Sequence, residues 1–184
     1  MQEEISEELK SEIARHVMQP DNYGKLDGAN GVGIAMDKAT NSYVVMYLKR
    51  DSNKIEDIKF GTNAMSQDVP TLGSIFTDMI KGDDIASAIL TTEGLEKELE
   101  QNYANLPKPK IDTTKPEGEQ VERISTEHQD SANMVLTSFR AAMRHYERSQ
   151  EGIEEEYFEM NIAKTCPYSL GDCHFMLPED EEKN

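Results

Sequence analysis

The spacing of apolar residues changes from a helical to a strand pattern early in the chain, and this change limits the fold more than any other feature. Residues 3–18 carry an apolar side chain at every fourth position among charged ones, which predicts an amphipathic helix that Pro20 ends. Residues 32–36, 43–48 and 55–60 are instead rich in β-branched and aromatic side chains. We therefore predict a helix followed by three antiparallel strands.

Further apolar periodicity predicts helices after the strands. Apolar residues three or four positions apart run up to Gly82, which is expected to end a helix. Asp83 or Asp84 is expected to cap a second helix over residues 85–90. Thr92 is expected to cap a third helix, short and acidic.

The longest helix is predicted around residues 136–146, with an upstream extension from Val121. Together these elements predict an α+β fold in which helices cover one face of a three-stranded antiparallel sheet. We assign this domain to residues 1–150, with an insertion at about 114–128. Residues 151–184 are predicted to be an acidic, cysteine-containing C-terminal tail with too few apolar residues to fold alone.

The composition restricts the partners and the compartment. The chain of 184 residues has 36 Asp and Glu against 19 Lys and Arg, a formal charge of -17. This charge repels phosphate backbones and anionic lipid, so we expect neither nucleic acid nor membrane as a partner, and we expect basic protein partners instead. No run approaches the roughly 20 apolar residues of a membrane span, and the first residues lack the pattern of a signal peptide, so the expected location is the cytoplasm.

Four short motifs resemble one known family in order and nearly in spacing. They are His16–Gly24 with its Pro-x-Asn-x-Gly pattern, Val44–Lys49, Ile55–Phe60 and Thr77–Gly82. Across residues 16–146 the chain thereby resembles the NifU/IscU-type scaffold on which iron-sulfur clusters are assembled. The resemblance implies the SufE/NifU-like fold, which agrees with the α+β order predicted from periodicity.

The resemblance also implies where cluster ligands would stand. In this family three cysteines and one aspartate hold the nascent cluster, because thiolates are the soft ligands that iron-sulfur units require. The corresponding positions here are Thr40, Ser42, either Met65 or Ser66, and Thr113, with Asp112 in place of a histidine that precedes the last cysteine. No cysteine lies between Met1 and Thr165. We therefore predict a degenerate member whose family site is vacant and holds no cofactor.

The domain offers two weaker candidate sites, one for a divalent ion and one for a general base. Asp112 together with Asp68 could bind a divalent ion, although carboxylates on so acidic a chain are usually solvated. His16 could act as a general base, but it belongs to the family's entry motif and has no nucleophile partner in the sequence, so a structural role is favoured.

The tail contains the soft ligands of the chain. Cys166, Cys173 and His174 could bind a metal ion or an iron-sulfur cluster, although six residues between the cysteines exceed the spacing of typical metal knuckles. A regulatory disulfide and a plain docking tail are the alternatives. The aromatic and acidic run at residues 157–160 suits either a segment that orders on a partner or a last helical turn packed on the domain.

These observations predict a protein without enzymatic activity that is kept for its shape and binding surface. It would serve as an accessory subunit or adaptor of a cysteine desulfurase, of other assembly machinery, or of a larger iron-sulfur redox complex. The alternative is a remodelled carrier of iron or of an iron-sulfur cluster that uses the tail cysteines.

Overall fold

A mixed four-stranded sheet with helices packed on it forms the framework of the computed structural model, which describes residues 6–107, 113–116 and 124–162. The elements in chain order are α1 (Glu7–Met18), β1 (Gly31–Asp37), β2 (Ser42–Arg50), β3 (Ile55–Thr62), α2 (Asp68–Ile80), α3 (Ile85–Ala104), α4 (Glu127–Gln150) and β4 (Phe158–Asn161). None of the described helices is long and apolar enough to cross a membrane.

The first three strands confirm the prediction from their composition. β1 pairs antiparallel with β2, and β2 with β3, while buried and partly exposed residues alternate along each strand. One face therefore carries fully buried side chains such as Met46, Leu48 and Phe60. Helices α2 and α4 pack on the sheet and enclose the apolar core. The predicted α+β class is confirmed.

The prediction of only three strands was wrong, because β4 joins β1 in parallel and gives the sheet order β3-β2-β1-β4. Main-chain hydrogen bonds to the open edge of β1 hold β4, so this strand needs few apolar side chains of its own. The helical turn considered for residues 157–160 is therefore wrong as well. β4 lies beyond residue 150, and the division of the chain at that residue stays a prediction.

Two side chains near the end of α4 hold the segment that leads into β4. The Nδ1 atom of buried His145 accepts a hydrogen bond from the Val32 amide at 3.1 Å, and its Nε2–H donates to the Glu155 carbonyl at 2.9 Å. These two bonds define a neutral imidazole. Arg148 makes a bidentate ion pair with the Glu155 carboxylate, and this pairing lowers the pKa of Glu155. The segment from Glu155 to Asn161 is thus attached to α4 as well as to β1.

The helical region differs from the prediction at two boundaries. α3 is one continuous helix capped by Asp84, whose carboxylate accepts a hydrogen bond from the Ser87 amide at 2.9 Å. Thr92 does not cap a separate helix, because its hydroxyl donates to the Ala88 carbonyl one turn earlier at 2.8 Å. α4 begins at Glu127, and residues 124–126 are not helical. The predicted helical extension from Val121 is therefore not continuous with α4. Val121 itself lies outside the described residues.

The backbone of α4 lies directly on β1, and two glycines make this approach possible. A Cβ atom on Gly33 would lie 2.0 Å from the Ala142 nitrogen and 2.4 Å from the Ser138 carbonyl oxygen. A Cβ atom on Gly31 would lie 2.6 Å from the Ala142 carbonyl oxygen. These are backbone atoms of a helix, which cannot move aside as the end of a flexible side chain can.

We expect Gly33→Ala to destabilise the protein by at least about 3 kcal/mol, because α4 must move away from the sheet and the packed core opens. Urea denaturation followed by circular dichroism measures this change. Gly94→Ala is the matched control, since Gly94 lies in α3 with open space around its Cα, and the substitution should stabilise by up to about 1 kcal/mol. Equal stabilities of the Gly33→Ala variant and the wild type would contradict the packing described.

Candidate functional site

A cavity of about 410 Å³ opens where the turn between β1 and β2, the segment before α2 and the start of α4 meet. Its lining combines short polar, acidic and thioether side chains. The residues that line it are Asp37, Thr40, Ser42, Ala64, Met65, Ser66, Val69, Glu127, Asp130, Ser131 and Met134. The cavity thus brings together Thr40, Ser42, Met65 and Ser66, at which the family resemblance places the cluster ligands.

Thr40 is held by the turn that joins β1 to β2. The buried Asp37 carboxylate accepts hydrogen bonds from the Ala39 amide and from the Thr40 hydroxyl, both at 2.9 Å. Asn41 follows in a left-handed conformation with φ of 55°, which asparagine tolerates well. The Thr40 hydroxyl therefore stabilises a turn.

Met65 and Ser66, between which the resemblance left the second ligand position open, lie just before α2, and both line the cavity. The Ser66 hydroxyl accepts a hydrogen bond from the Asp68 amide at 3.3 Å. This bond satisfies an amide at the start of α2, where the N-cap residue Gln67 makes no side-chain capping bond. The Met65 side chain is fully exposed at the rim.

The start of α4 supplies the opposite wall. The buried Asp130 carboxylate accepts hydrogen bonds from the Tyr103 hydroxyl at 2.7 Å and from the Thr126 hydroxyl at 2.8 Å. Burial, together with the neighbouring Asp130 carboxylate, raises the pKa of Tyr103 well above its usual range, so this hydroxyl remains a donor. The bond also ties the end of α3 to the beginning of α4.

Sequence reasoning did not find the acidic residues of this cavity. Asp37, Glu127 and Asp130 come from three different parts of the structure, and each is one of many acidic residues in the chain. A usable signal was the position of Asp37 directly before a turn, where Asp often accepts backbone hydrogen bonds. The signal for Asp130 appears only when α3 and α4 are packed together.

The remaining predicted site residues are not part of the described lining. Thr113 is exposed and does not line the cavity. Asp112, Cys166, Cys173 and His174 lie outside the described residues, so their assignments stay predictions. Asp68 is the other residue of the divalent-ion site considered from the sequence, and its carboxylate lies 3.2 Å from the Nδ1 atom of His128.

The cavity lining offers hydroxyl and carboxylate oxygens and two thioethers, and its described residues include no thiolate. Oxygen donors suit hard cations, whereas iron-sulfur units require soft thiolate ligands. The lining as described is therefore a poor ligand set for a cluster.

Within residues 6–107, 113–116 and 124–162, one group of metal-ligating side chains converges, at His16, Asp21 and Asp78. Arg15 pairs with both carboxylates of this group, so part of the negative charge that would attract a cation is already compensated. His16 is buried and its Nδ1 atom lies 2.7 Å from the Ser74 hydroxyl. This arrangement fits the structural role favoured for His16.

Comparison with known proteins assigns the family. The sequence matches the NifU-like N terminal domain over residues 8–151, and the chain belongs to this family. It is 34% identical over 96 residues to the iron-sulfur cluster assembly scaffold proteins IscU 1 and IscU 2 of Archaeoglobus fulgidus, which covers 52% of this chain and 60% of each relative. The match thus spans less than two thirds of those relatives.

Two further similarities extend over more of the chain. The iron-sulfur cluster assembly scaffold protein IscU of Aquifex aeolicus is 26% identical over 180 residues, 97% of this chain and 94% of that protein. The crystal structure of an N-terminal NifU-like protein from Brucella abortus covers 74% of this chain and 92% of that chain at 13% identity, with a TM-score of 0.53. The latter supports the fold alone.

We expect Tyr103→Phe to destabilise the protein by about 1 to 3 kcal/mol at neutral pH, because the buried Asp130 loses one of its donors. A raised pKa in the folded state means that the contribution of Tyr103 is complete below about pH 10 and is lost as the pH rises through the folded value. The stability difference between wild type and variant, measured by urea denaturation at a series of alkaline pH values, should therefore shrink as the pH increases. A difference that stays constant with pH would contradict the role given to this hydroxyl.

Proposed function

We propose that this chain acts in iron-sulfur cluster assembly as a non-catalytic accessory subunit or adaptor. Its partner would be a cysteine desulfurase, another component of the assembly machinery, or a larger iron-sulfur redox enzyme. Membership of the NifU-like family and the scaffold names of its relatives support the general role.

The observation that carries the proposal is the use of the hydroxyls at the former ligand positions. Thr40 closes a turn through Asp37, and Ser66 accepts a hydrogen bond at the entrance of α2. Both hydroxyls make local hydrogen bonds that hold the backbone, and neither supplies the thiolate that an iron-sulfur unit requires. Such a site favours binding by the protein surface over chemistry in the cavity.

α1 provides a surface suited to a partner. Its apolar stripe remains substantially exposed, at 46% for Leu9, 38% for Ile13 and 40% for Val17. Polar contacts at the C-terminal end hold the helix in place: His16 bonds to Ser74 as described above, and the Gln67 side-chain amide donates to the Val17 carbonyl at 3.2 Å. Because these polar contacts hold α1, the apolar stripe remains exposed on its surface.

The charge of α1 indicates the chemistry of its partner. Glu7, Glu8 and Glu12 are exposed on the helix, and the whole chain carries a formal charge of -17. A partner surface with an apolar groove bordered by Lys and Arg would complement both the stripe and these carboxylates. A partner of this kind is the occupant that we propose for α1.

Two triple variants separate the surface of α1 from the positions at which the resemblance places the cluster ligands. Replacing Leu9, Ile13 and Val17 by Ala keeps a good helix former at each position and removes the apolar stripe. We expect this variant to bind the partner at least tenfold more weakly, which corresponds to about 1.4 kcal/mol of binding free energy. Replacing Thr40, Ser66 and Thr113 by Ala should leave partner binding and the cellular role intact.

Tagged wild type and variants are purified anaerobically from the native host, and the protein that co-purifies stoichiometrically is identified. That partner is then purified, and its affinity for the wild type and for each variant is measured by titration. A third variant, with Met79, Leu90 and Ile153 replaced by Ala, removes the same number of exposed apolar side chains elsewhere and should bind normally. Loss of the cellular role in the variant with Thr40, Ser66 and Thr113 replaced by Ala, if that variant is folded, would refute the adaptor role. Retained binding by the α1 variant would refute the docking surface.

A further inference from the structure

A cleft of about 200 Å³ lies between α2 and α3, with α4 as its floor. Helices α2 and α3 both pack on α4 and hardly touch each other, which leaves this space between them. None of the described residues that line the cleft also lines the cavity at the family's ligand positions. The cleft is therefore a separate feature of the molecule.

The walls of the cleft are apolar and incompletely covered. Leu72, Ile75 and Met79 lie three or four positions apart, so they share one face of α2, and Leu95 and Leu99 share one face of α3 in the same way. Met79 is 49% exposed, and Leu72, Ile75 and Leu95 are only partly buried. An apolar concave surface that stays accessible is typical of a binding groove.

The dimensions of the cleft fit the side chains of one helix. Its walls run from Leu72 to Met79 and from Leu95 to Asn102, which is about 10 Å along each helix axis, or two turns. A cavity of about 150 Å³ holds a benzene ring, so 200 Å³ accommodates one aromatic or about two aliphatic side chains. An amphipathic helix presents such anchors over the same two turns, at positions i, i+3 or i+4, and i+7.

The charge around the cleft indicates which helix would bind. Glu98 is an exposed residue of the α3 wall, and His128, in the first turn of α4, is in contact with the Asp68 carboxylate. The whole chain carries a formal charge of -17. Lys and Arg side chains beside the apolar anchors are therefore attracted, whereas Asp and Glu side chains are repelled.

We propose that the cleft between α2 and α3 binds a basic amphipathic helix of a partner protein, with apolar side chains in the cleft and Lys or Arg side chains facing Glu98. A second copy of this chain is disfavoured as the occupant, because it carries the same negative charge and its exposed α1 stripe lies beside Glu8 and Glu12. The α1 stripe requires a groove on its partner, whereas the cleft receives a helix. The inference thus goes beyond the adaptor role, and either can fail without the other.

The chemistry of the occupant is tested by fluorescence anisotropy of labelled synthetic peptides with the full-length chain at about 0.15 M salt. The basic peptide has about 15 residues, enough to form a helix, with Leu along one face and Lys or Arg elsewhere. In the acidic peptide Glu replaces every Lys and Arg, and in the reordered peptide the same residues no longer place Leu on one face. We expect the basic peptide to bind at least tenfold more tightly than either control.

Two results of this titration would overturn the proposal. The first is the absence of binding by the basic peptide. The second is equal affinity for the basic peptide and either control, since attraction by net charge alone does not depend on the order of the residues.

Matched variants test whether the cleft is the site. Met79→Lys places a charge on the cleft wall, and Leu90→Lys makes the same change at an exposed residue of α3 outside the lining. We expect Met79→Lys to bind the basic peptide at least tenfold more weakly and Leu90→Lys to bind it as the wild type does, with both variants folded by circular dichroism. Glu98→Gln should likewise weaken binding more than Glu100→Gln, which removes the same charge from another face of α3. Equal effects within either pair would overturn the location.

Methyl resonances of ¹³C-labelled methionine give the position directly. Met79 reports on the cleft, Met18 on α1 and Met65 on the cavity at the ligand positions, and all three are exposed. We expect the basic peptide to shift the Met79 resonance and to leave those of Met18 and Met65 unchanged. A shift at Met18 or Met65 without one at Met79 would overturn the proposal. Self-association of the chain that Met79→Lys abolishes would identify a second copy as the occupant and would overturn it as well.

Discussion

The contact of α4 with β1 is the constraint on which the rest of the structure depends. Because Gly31 and Gly33 carry no side chains, the helix backbone lies against the strand at the distance of direct van der Waals contact. From this position the first turns of α4 bring Asp130 to the cavity, while His145 near its other end bonds to both Val32 and the segment before β4. The packing of α4 on β1 thus fixes both the cavity wall and the position of the segment that leads into β4.

The sequence predicts the parts of this fold that local chemistry determines. Runs of β-branched and aromatic residues predicted β1, β2 and β3, and Asp84 marked the start of α3 correctly. β4 was not predicted, although Phe158, Met160 and Ile162 alternate with polar residues, because so short a run is a weak signal and its pairing partner β1 is distant in sequence. The cap assigned to Thr92 was wrong because a threonine hydroxyl can also bond to the preceding turn of the same helix.

The candidate site likewise has residues that the sequence predicted and residues that it did not. The family resemblance predicted the positions of Thr40, Ser42, Met65 and Ser66, and the structure gathers all four around one cavity. It did not predict Asp37 or Asp130, because their importance comes from burial and from partners distant in sequence, such as Tyr103. The hydroxyls of Thr40 and Ser66 stabilise a turn and the entrance of α2.

Anaerobic reconstitution of the full-length chain with Cys166 and Cys173 both replaced by Ser, using ferrous iron and sulfide, tests most directly whether the cavity itself can hold a cluster. Iron and acid-labile sulfide are measured on the desalted protein together with its visible absorbance. The account predicts a colourless protein free of stoichiometric iron and sulfide, because oxygen and thioether donors do not replace thiolates. A stable visible absorbance with stoichiometric iron and sulfide would contradict it and would show that the scaffold's chemistry persists without cysteine.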